Sequence, residues 1–357
     1  SPVRETMRAA VLYGKEDVRV EAITRPTPGP GEVLLRVEVA LTCGTDVKVY
    51  RRGYHAKMIA PPVPFGHEYA GVIVEVGVGV NGFAIGDRVV GANSAPCDEC
   101  FFCAQNQQEL CEDLQFTNGA YAEFILLPER LVRKNLYHIL DGVSFEAAAM
   151  SEPLACVVKG LEETPPIPGG SAVVLGVGPI GLYFVRLLSM AGMTVTAVGR
   201  GWSRLDAAKA VGATNLFSSS EETDVVSKVR SLANDGRGPD LVIECVGSPA
   251  TWEMAISMAR KAGTVNLFGG CPKETFAQLD TGRVHYDELT LKGAFHHTPN
   301  TFREAFRLLC SGEVDATQFI QRHANLNEVP SLMRELSSGA SVVKVAVHPM
   351  IQAANHE

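Results

Sequence analysis

A short apolar run, Ala172 to Leu175, leads directly into Gly176-Val-Gly178-Pro179-Ile180-Gly181 and then into a helical stretch that continues to Ala191. A strand turning this sharply into a helix uses glycine three times: for the tight turn, for the approach of a pyrophosphate to the backbone, and for close packing of helix on strand. The first turn of the helix then presents N–H groups to the phosphates. Alone, G-x-G-x-x-G is a weak signal, and a glycine-rich turn between buried elements is the bland alternative. Its position between a strand and a helix makes it a prediction of a bound dinucleotide.

The segments that follow support a doubly wound parallel sheet. Apolar runs recur at Thr194–Val198, Thr214–Phe217, Leu241–Glu244, Thr264–Phe268 and Leu289–Lys292, with helical stretches between most of them. With Ala172–Leu175 they make six strands. Glu163 to Gly170, with three prolines and two glycines, reads as the linker before this sheet. Residues 7 to about 150 read differently, as short strands (Ala9–Leu12, Val33–Ala40, Ala70–Val76, Arg88–Gly91) between Gly, Pro and Asn turns. A chain of 357 residues exceeds the usual size of one core, so two domains are expected.

Composition narrows the partners. With a net charge of −8 and no Lys/Arg cluster longer than a pair such as Arg51-Arg52, there is no basic footprint for nucleic acid or anionic lipid. The most apolar region, Ala172 to Leu188, is interrupted by Gly176, Gly178, Gly181 and Arg186, so no membrane span is expected. No signal-peptide pattern is visible, and a cytoplasmic protein acting on a small molecule is the expectation. Met7 opens the first strand-like run, and Ser1–Thr6 are set aside as a start-site difference or a cloning remnant.

Nine cysteines in a chain of this kind argue for thiolate ligands rather than disulfides. Cys97, Cys100, Cys103 and Cys111 form a C-x2-C-x2-C-x7-C array. Four such thiolates can enclose one ion tetrahedrally, as in a closed structural zinc site. An iron–sulfur cluster fits less well: the bacterial run has three residues before its fourth cysteine and a proline after it, whereas here there are seven, then Glu112. A zinc-ribbon nucleic-acid binder is disfavoured by Asp98, Glu99, Glu109, Glu112 and Asp113 around the array. Cys156, Cys245, Cys271 and Cys310 have no partner spacing and read as core thiols.

A second set is dispersed: Cys43 in Cys-Gly-Thr-Asp, His67-Glu68 after Gly66, and Glu152 before Pro153. A thiolate, an imidazole and one or two carboxylates suit a zinc with an open position for substrate. Taken singly, the cysteine is an ordinary core residue, the histidine a satisfied polar group and Glu152 a helix cap.

After the second strand of the sheet, an acid about 20 positions beyond the glycine motif ordinarily binds the ribose 2′-hydroxyl of NAD. Here the strand ends in Gly199-Arg200-Gly201-Trp202-Ser203-Arg204, with no acid until Asp206. Glycine removes repulsion there, and Arg200, Ser203 and Arg204 suit a 2′-phosphate, so NADP is preferred and NAD is the alternative. The bland alternative is a pair of solvated charges at a helix start.

Together these residues resemble the zinc-containing medium-chain dehydrogenases, in particular their sorbitol (polyol) and threonine dehydrogenase branches. Gly66-His67-Glu68-Tyr-Ala-Gly71 followed by Gly77 and Val80 resembles that family's zinc signature, and the likeness spans nearly the whole chain. It implies an α/β fold: a GroES-like β-rich catalytic domain from residues 1–155 and 295–357, with a zinc lobe at about 93–115, and a Rossmann domain with a six-stranded doubly wound parallel sheet over 156–294. It also implies two zinc ions per subunit, one catalytic and one structural, in a homodimer or homotetramer.

By position, the resemblance makes Cys43 and His67 ligands of the catalytic zinc, with one or both of Glu68 and Glu152 completing the set. Thr45 stands at the place of the relay hydroxyl. Lys48 stands where many relatives carry the outer relay histidine, which leaves the proton's route past Thr45 open. The implied chemistry is Lewis-acid catalysis of hydride transfer between a secondary alcohol and a nicotinamide, with ketone reduction as the reverse. Tyr50, Phe116, His296 and His297 fall near cleft-shaping positions of the polyol branch, which suits a polyol, sugar alcohol or cyclitol. A polar turn before Thr298-Pro299 is the bland alternative for the histidine pair. The other expectations are a threonine 3-dehydrogenase-like or other NAD-using secondary-alcohol dehydrogenase, and a catalytically silent dinucleotide-binding protein.

Overall fold

The structure, a computed structural model, describes residues 5–55, 57–339 and 343–351. The chain divides into two units: Ser1–Ala155 with His297–Glu357, and Cys156–His296. The second crossover falls at 296/297, two residues beyond the boundary that the sequence suggests. Of Ser1–Thr6, residues 1–4 lie outside the described residues, and Thr6 already belongs to the first strand, Thr6–Gly14.

The unit Cys156–His296 is a six-stranded parallel sheet. In chain order its strands are Ser171–Leu175, Thr194–Gly199, Asn215–Ser218, Leu241–Glu244, Thr264–Leu267 and Thr290–Gly293. Their order in space is 3-2-1-4-5-6, which places the first strand, the one that feeds the glycine motif, at the topological switch point. Helices between strands cover the sheet, whose strand Leu241–Glu244 is apolar on both faces: Leu241, Val242 and Ile243 are all buried. Val173, Leu175, Val198, Val242 and Val265 meet Val229, Ile256 and Met258 of the flanking helices in one core.

The other unit is built on antiparallel strands. Val33–Leu41 is its centre, pairing with Tyr69–Val76, Phe124–Leu127 and Lys344–His348. Leu34, Leu35 and Leu41 have no exposure. Tyr69–Val76 pairs in turn with Arg88–Gly91, and Lys344–His348 pairs in parallel with Ile320–Asn325. The C-terminal residues thus complete a sheet begun by the first hundred. Sequence patterning does not single out the strand Lys344–His348, where Lys344 interrupts the apolar run and is nevertheless buried. Among the described residues no helix is long and apolar enough to cross a membrane.

Candidate active site

The strand Val33–Leu41 ends two residues before Cys43, which caps the helix Gly44–Arg52. Its Sγ accepts the backbone N–H of Thr45 at 3.4 Å, so the sulfur sits at a helix N-terminus, where negative charge is favoured. His67 and Glu68 precede the strand Tyr69–Val76 that lies alongside. Gly66 has φ +98°, and a Cβ on it would meet the Tyr121 ring at 2.7 Å, so only glycine makes the turn that delivers this pair. Ligand atoms of Cys43, His67 and Glu68 all lie within 4.8 Å of one another.

Each member has a partner that orients it. His67 Nδ1 lies 3.2 Å from Oδ1 of buried Asp46, whose Oδ2 accepts the Tyr121 hydroxyl at 2.6 Å. This fixes the Nδ1–H tautomer and leaves Nε2 as the donor atom for a metal, the carboxylate–histidine arrangement seen around zinc. Glu68 Oε1 accepts from Lys344 Nζ, while its Oε2 is buried with no hydrogen-bond partner. An orphaned carboxylate oxygen beside a thiol and an imidazole is donor chemistry that fits zinc.

Glu152, in the first turn of the helix Ser151–Glu163, is buried with Oε2 at 3.7 Å from His67 Nε2 and Oε1 at 3.7 Å from His297 Nε2. Burial raises its carboxyl to about 7, against the pull of His67. Burial alone would lower His67, but Asp46 and Glu152 hold it well above the ordinary value. Burial, then the Glu68 charge, pushes the Cys43 thiol up, opposed by His67.

The remaining expected residues fall into place unevenly. Thr45 is half-buried in the first turn of the Cys43-capped helix, and Lys48 is exposed on the same helix. Buried His297 meets Asn93 Oδ1 at 2.8 Å, and Phe116 pairs with Ser94, the neighbour of Asn93. Tyr50 is buried, and the charges acting on its hydroxyl are those of Glu16 and Arg334. His296 belongs to the other unit, has φ +62° and stacks on Phe295. Asp46, Asn93 and Lys344 carry no sequence prediction. Only Asp46 leaves a trace, as the acid three residues after Cys43 at a helix start.

Cys97, Cys100, Cys103 and Cys111 converge, with all four sulfurs within 4.8 Å. Cys97 Sγ accepts the backbone N–H groups of Glu99 at 3.4 Å and Cys100 at 3.3 Å, and Cys111 Sγ accepts that of Cys97 at 3.2 Å. N–H groups of Cys103 and Glu112 pull the Cys100 thiol down to about 6, whereas burial pushes Cys103 up to about 12. Lys134 Nζ anchors the lobe through the carbonyls of Pro96 and Cys97. This thiolate shell with backbone donors fits a structural zinc. Cys156, Cys245, Cys271 and Cys310 form no disulfide and are half-buried rather than fully in the core.

In the parallel-sheet unit, Pro179, Ile180 and Gly181 open the helix Pro179–Met190, which Gly178 precedes. A Cβ on Gly181 would lie 1.8 Å from the Gly176 carbonyl oxygen, and Gly176 has φ +101°. A Cβ on Gly178 would meet nothing within 4 Å, so the space above the helix N-terminus is open. That cradle fits a pyrophosphate. Gly199 is buried at the end of the second strand, followed by exposed Arg200, exposed Ser203 and half-buried Arg204.

The donor chemistry and the cradle define the class: a metal-assisted oxidoreductase that uses a dinucleotide. Comparison with known proteins agrees. The family profile for the alcohol dehydrogenase GroES-like domain matches residues 29–136, and that for zinc-binding dehydrogenase matches 179–311. Sorbitol dehydrogenase of Bacillus subtilis is 30% identical over 97% of this chain and 98% of its own. L-threonine 3-dehydrogenase of Pyrococcus abyssi is 33% identical over 88% and 89%. Among solved structures, a Sinorhizobium meliloti 1021 protein with NADP bound superposes with TM-score 0.88 at 30% identity, covering 97% of this chain and all of the other. The 2R,3R-butanediol dehydrogenase of Bacillus subtilis gives 0.85 at 28% identity, covering 96% and 99%. The chain belongs to the zinc-containing medium-chain alcohol dehydrogenases, enzymes that act on a CH–OH group with a nicotinamide cofactor.

Proposed function

We propose that the chain interconverts a secondary alcohol of the polyol, sugar-alcohol or cyclitol class and its ketone, with NADP as the preferred hydride carrier. The observation that carries the zinc assignment is the orphaned Oε2 of Glu68 beside Cys43 and His67. On this reading Cys43, His67 and Glu68 hold the catalytic zinc, and Cys97, Cys100, Cys103 and Cys111 hold the structural one. Zinc supplies Lewis acidity toward the alcohol oxygen, and the nicotinamide supplies the hydride acceptor.

The chain's own residues do the rest. Asp46 keeps His67 in the Nδ1–H tautomer. Thr45 Oγ1 takes the proton that leaves the substrate hydroxyl as it hands its own on toward solvent, and Lys48, three residues on along the same helix and exposed, stands at that exit. Glu152 and His297, with Asn93 behind them, present polar groups to further substrate hydroxyls, which favours a hydroxyl-rich substrate over a simple aliphatic alcohol. Phe116 supplies an apolar wall; Tyr50 and His296 complete the expected substrate set by family position. Gly176, Gly178, Pro179, Ile180 and Gly181 cradle the pyrophosphate. Gly199, Arg200, Ser203 and Arg204 take the 2′-phosphate, in keeping with the NADP-bound relative.

Among the described residues no cysteine is in a disulfide, which suits a cytoplasmic protein. The exposed edge strand Thr290–Gly293 offers unpaired backbone groups to a second subunit, which suits a homodimer or homotetramer. The 33% identity to L-threonine 3-dehydrogenase favours an amino-alcohol substrate as the second reading.

The test follows oxidation of NADPH and NADH separately with a panel of ketoses, cyclic ketones and amino ketones. Faster turnover of a ketose or cyclic ketone with NADPH supports the proposal. Equal or better use of NADH overturns the cofactor assignment, and an amino ketone as the one good partner overturns the polyol assignment.

A further inference from the structure

On the surface of the antiparallel unit, away from both cysteine-containing clusters in sequence, two histidines and a glutamate converge. The strands Ile320–Asn325 and Lys344–His348 run parallel, with His323 opposite Ala346 and Asn325 opposite His348. His323 and His348 are therefore offset by two positions and share a face of the sheet. His323 Nδ1 lies 2.8 Å from His348 Nε2. Glu146, in the first turn of the helix Phe145–Ala149, places Oε1 3.9 Å from the same Nε2. One ligand atom from each of the three residues lies within 4.8 Å of the other two.

His348 is oriented as a ligand before any metal arrives. Its Nδ1 meets the Glu38 carbonyl oxygen at 3.2 Å. A carbonyl only accepts, so Nδ1 carries the proton and Nε2 presents a lone pair toward His323 and Glu146. A backbone acceptor behind the ligating imidazole is the usual support of a metal-bound histidine. His323 is exposed, so it can move its own proton from Nδ1 to a solvent-facing Nε2. That is a change of tautomer with no net loss of charge, and it turns the His323 to His348 hydrogen bond into two converging lone pairs.

We propose that His323, His348 and Glu146 form a third metal site, taking a divalent transition ion of the zinc class with water in the remaining position. Two neutral imidazoles and one carboxylate are a ligand set that zinc accepts and that hard ions such as magnesium do not favour. Tetrahedral binding at about 2.0–2.1 Å sets the ligand atoms about 3.3 Å apart. The spacings of 2.8 and 3.9 Å to His348 bracket that value and the third is no more than 4.8 Å, so side-chain adjustments of up to about 1.5 Å suffice. The ion would clip the strand that carries Lys344 to the helix just before the one that carries Glu152, while touching neither residue.

The test uses the full, zinc-loaded chain dialysed against micromolar Zn²⁺, followed by metal analysis of wild type, His323→Ala and Glu146→Gln. Wild type should retain one zinc per chain more than His323→Ala at the same free zinc, with Glu146→Gln weakening that extra equivalent about tenfold. Cu²⁺ added to zinc-loaded wild type should give an electron paramagnetic resonance signal split by two nitrogens, and His323→Ala should lose that splitting. Equal zinc counts in wild type and His323→Ala, or a copper signal that the substitution does not change, would overturn the site and leave a plain histidine–histidine hydrogen bond. Because the readout is a difference in metal content rather than turnover, its failure is distinct from failure of the proposed dehydrogenase activity.

Discussion

Lys344 Nζ lies 2.5 Å from Glu68 Oε1, and neither side chain has any exposure to solvent. The same ammonium donates to the Thr42 carbonyl at 2.7 Å, and Thr42 Oγ1 accepts the Val345 N–H at 3.0 Å. The counter-ion of a candidate zinc ligand is thus built into the last described strand. A buried pair is costly to break from one side, because the remaining charge has no water to turn to. Lys344→Met should therefore cost about 3–5 kcal/mol. The double variant Lys344→Met/Glu68→Gln should recover much of the lost thermal stability while losing one zinc per chain. Calorimetry and metal analysis read both effects; an unchanged melting temperature in the single variant would show that the pair does not matter.

On the proposed zinc assignment, Asp46 would act on the metal through His67. Replacing it with asparagine leaves size and burial nearly unchanged but weakens the hold on the Nδ1 proton, so zinc affinity should fall about 10–100-fold. Tyr121→Phe, which removes only the bond to Asp46 Oδ2, should have a smaller effect in the same direction. Competition with a chromophoric chelator measures both, and indistinguishable affinities for Asp46→Asn and wild type would remove Asp46 from the site.

Cofactor preference cannot be exchanged by installing an acid at the end of the second strand. A Cβ on Gly199 would meet Val177 Cγ2 at 2.2 Å. Gly199→Asp alone should weaken NADPH and NADH alike, by displacing Val177 within the glycine turn. Gly199→Asp/Val177→Ala should regain NADH binding but not NADPH binding. Fluorescence titration with each cofactor distinguishes these outcomes; tight NADH binding by the single variant would refute the steric account.

Asp240 ties the start of the glycine-bearing strand to its neighbours. It accepts from Ser171 N at 2.8 Å and from Arg260 Nε at 2.6 Å, with Asn234 Nδ2 at 3.3 Å. Burial raises its carboxyl, but the Ser171 and Arg260 hydrogen bonds outweigh that and hold it below the ordinary 3.8. A depressed folded-state value means that the carboxylate stabilises the fold above pH 3.8 and that this contribution is lost as pH falls below it. Asp240→Asn should cost about 2 kcal/mol at neutral pH, with the gap to wild type closing below pH 4. Denaturant unfolding at several pH values tests this, and a gap that persists in acid would contradict it.

The parallel sheet was the most legible part of the chain, because its signals are local. Leu241–Glu244 matches the structure to the residue, as Arg88–Gly91 does in the antiparallel unit, since apolar runs bounded by turn residues announce buried strands. The four-cysteine lobe was legible for the same reason: its cysteines span fifteen residues. What sequence could not show is the company the candidate site residues keep. Glu68 and Lys344 are 276 positions apart, and His297 and Asn93 are 204 apart. No periodicity links such residues; only the return of the C-terminal segment to the first sheet does. Tyr50 was placed by family position alone, whereas its burial beside Glu16 and Arg334 follows from the apolar face of its helix.

That return has a consequence for synthesis. A nascent chain makes Cys43, His67, Glu68 and Glu152 long before Lys344, and Cys156–His296 can complete its own sheet in the interval. Until the strand Lys344–His348 emerges, Glu68 lacks the Lys344 ammonium and the Ala40–Leu41 end of the strand Val33–Leu41 has an open edge. The unit proposed to hold the catalytic zinc is therefore the last to close, although most of its ligand set is written first.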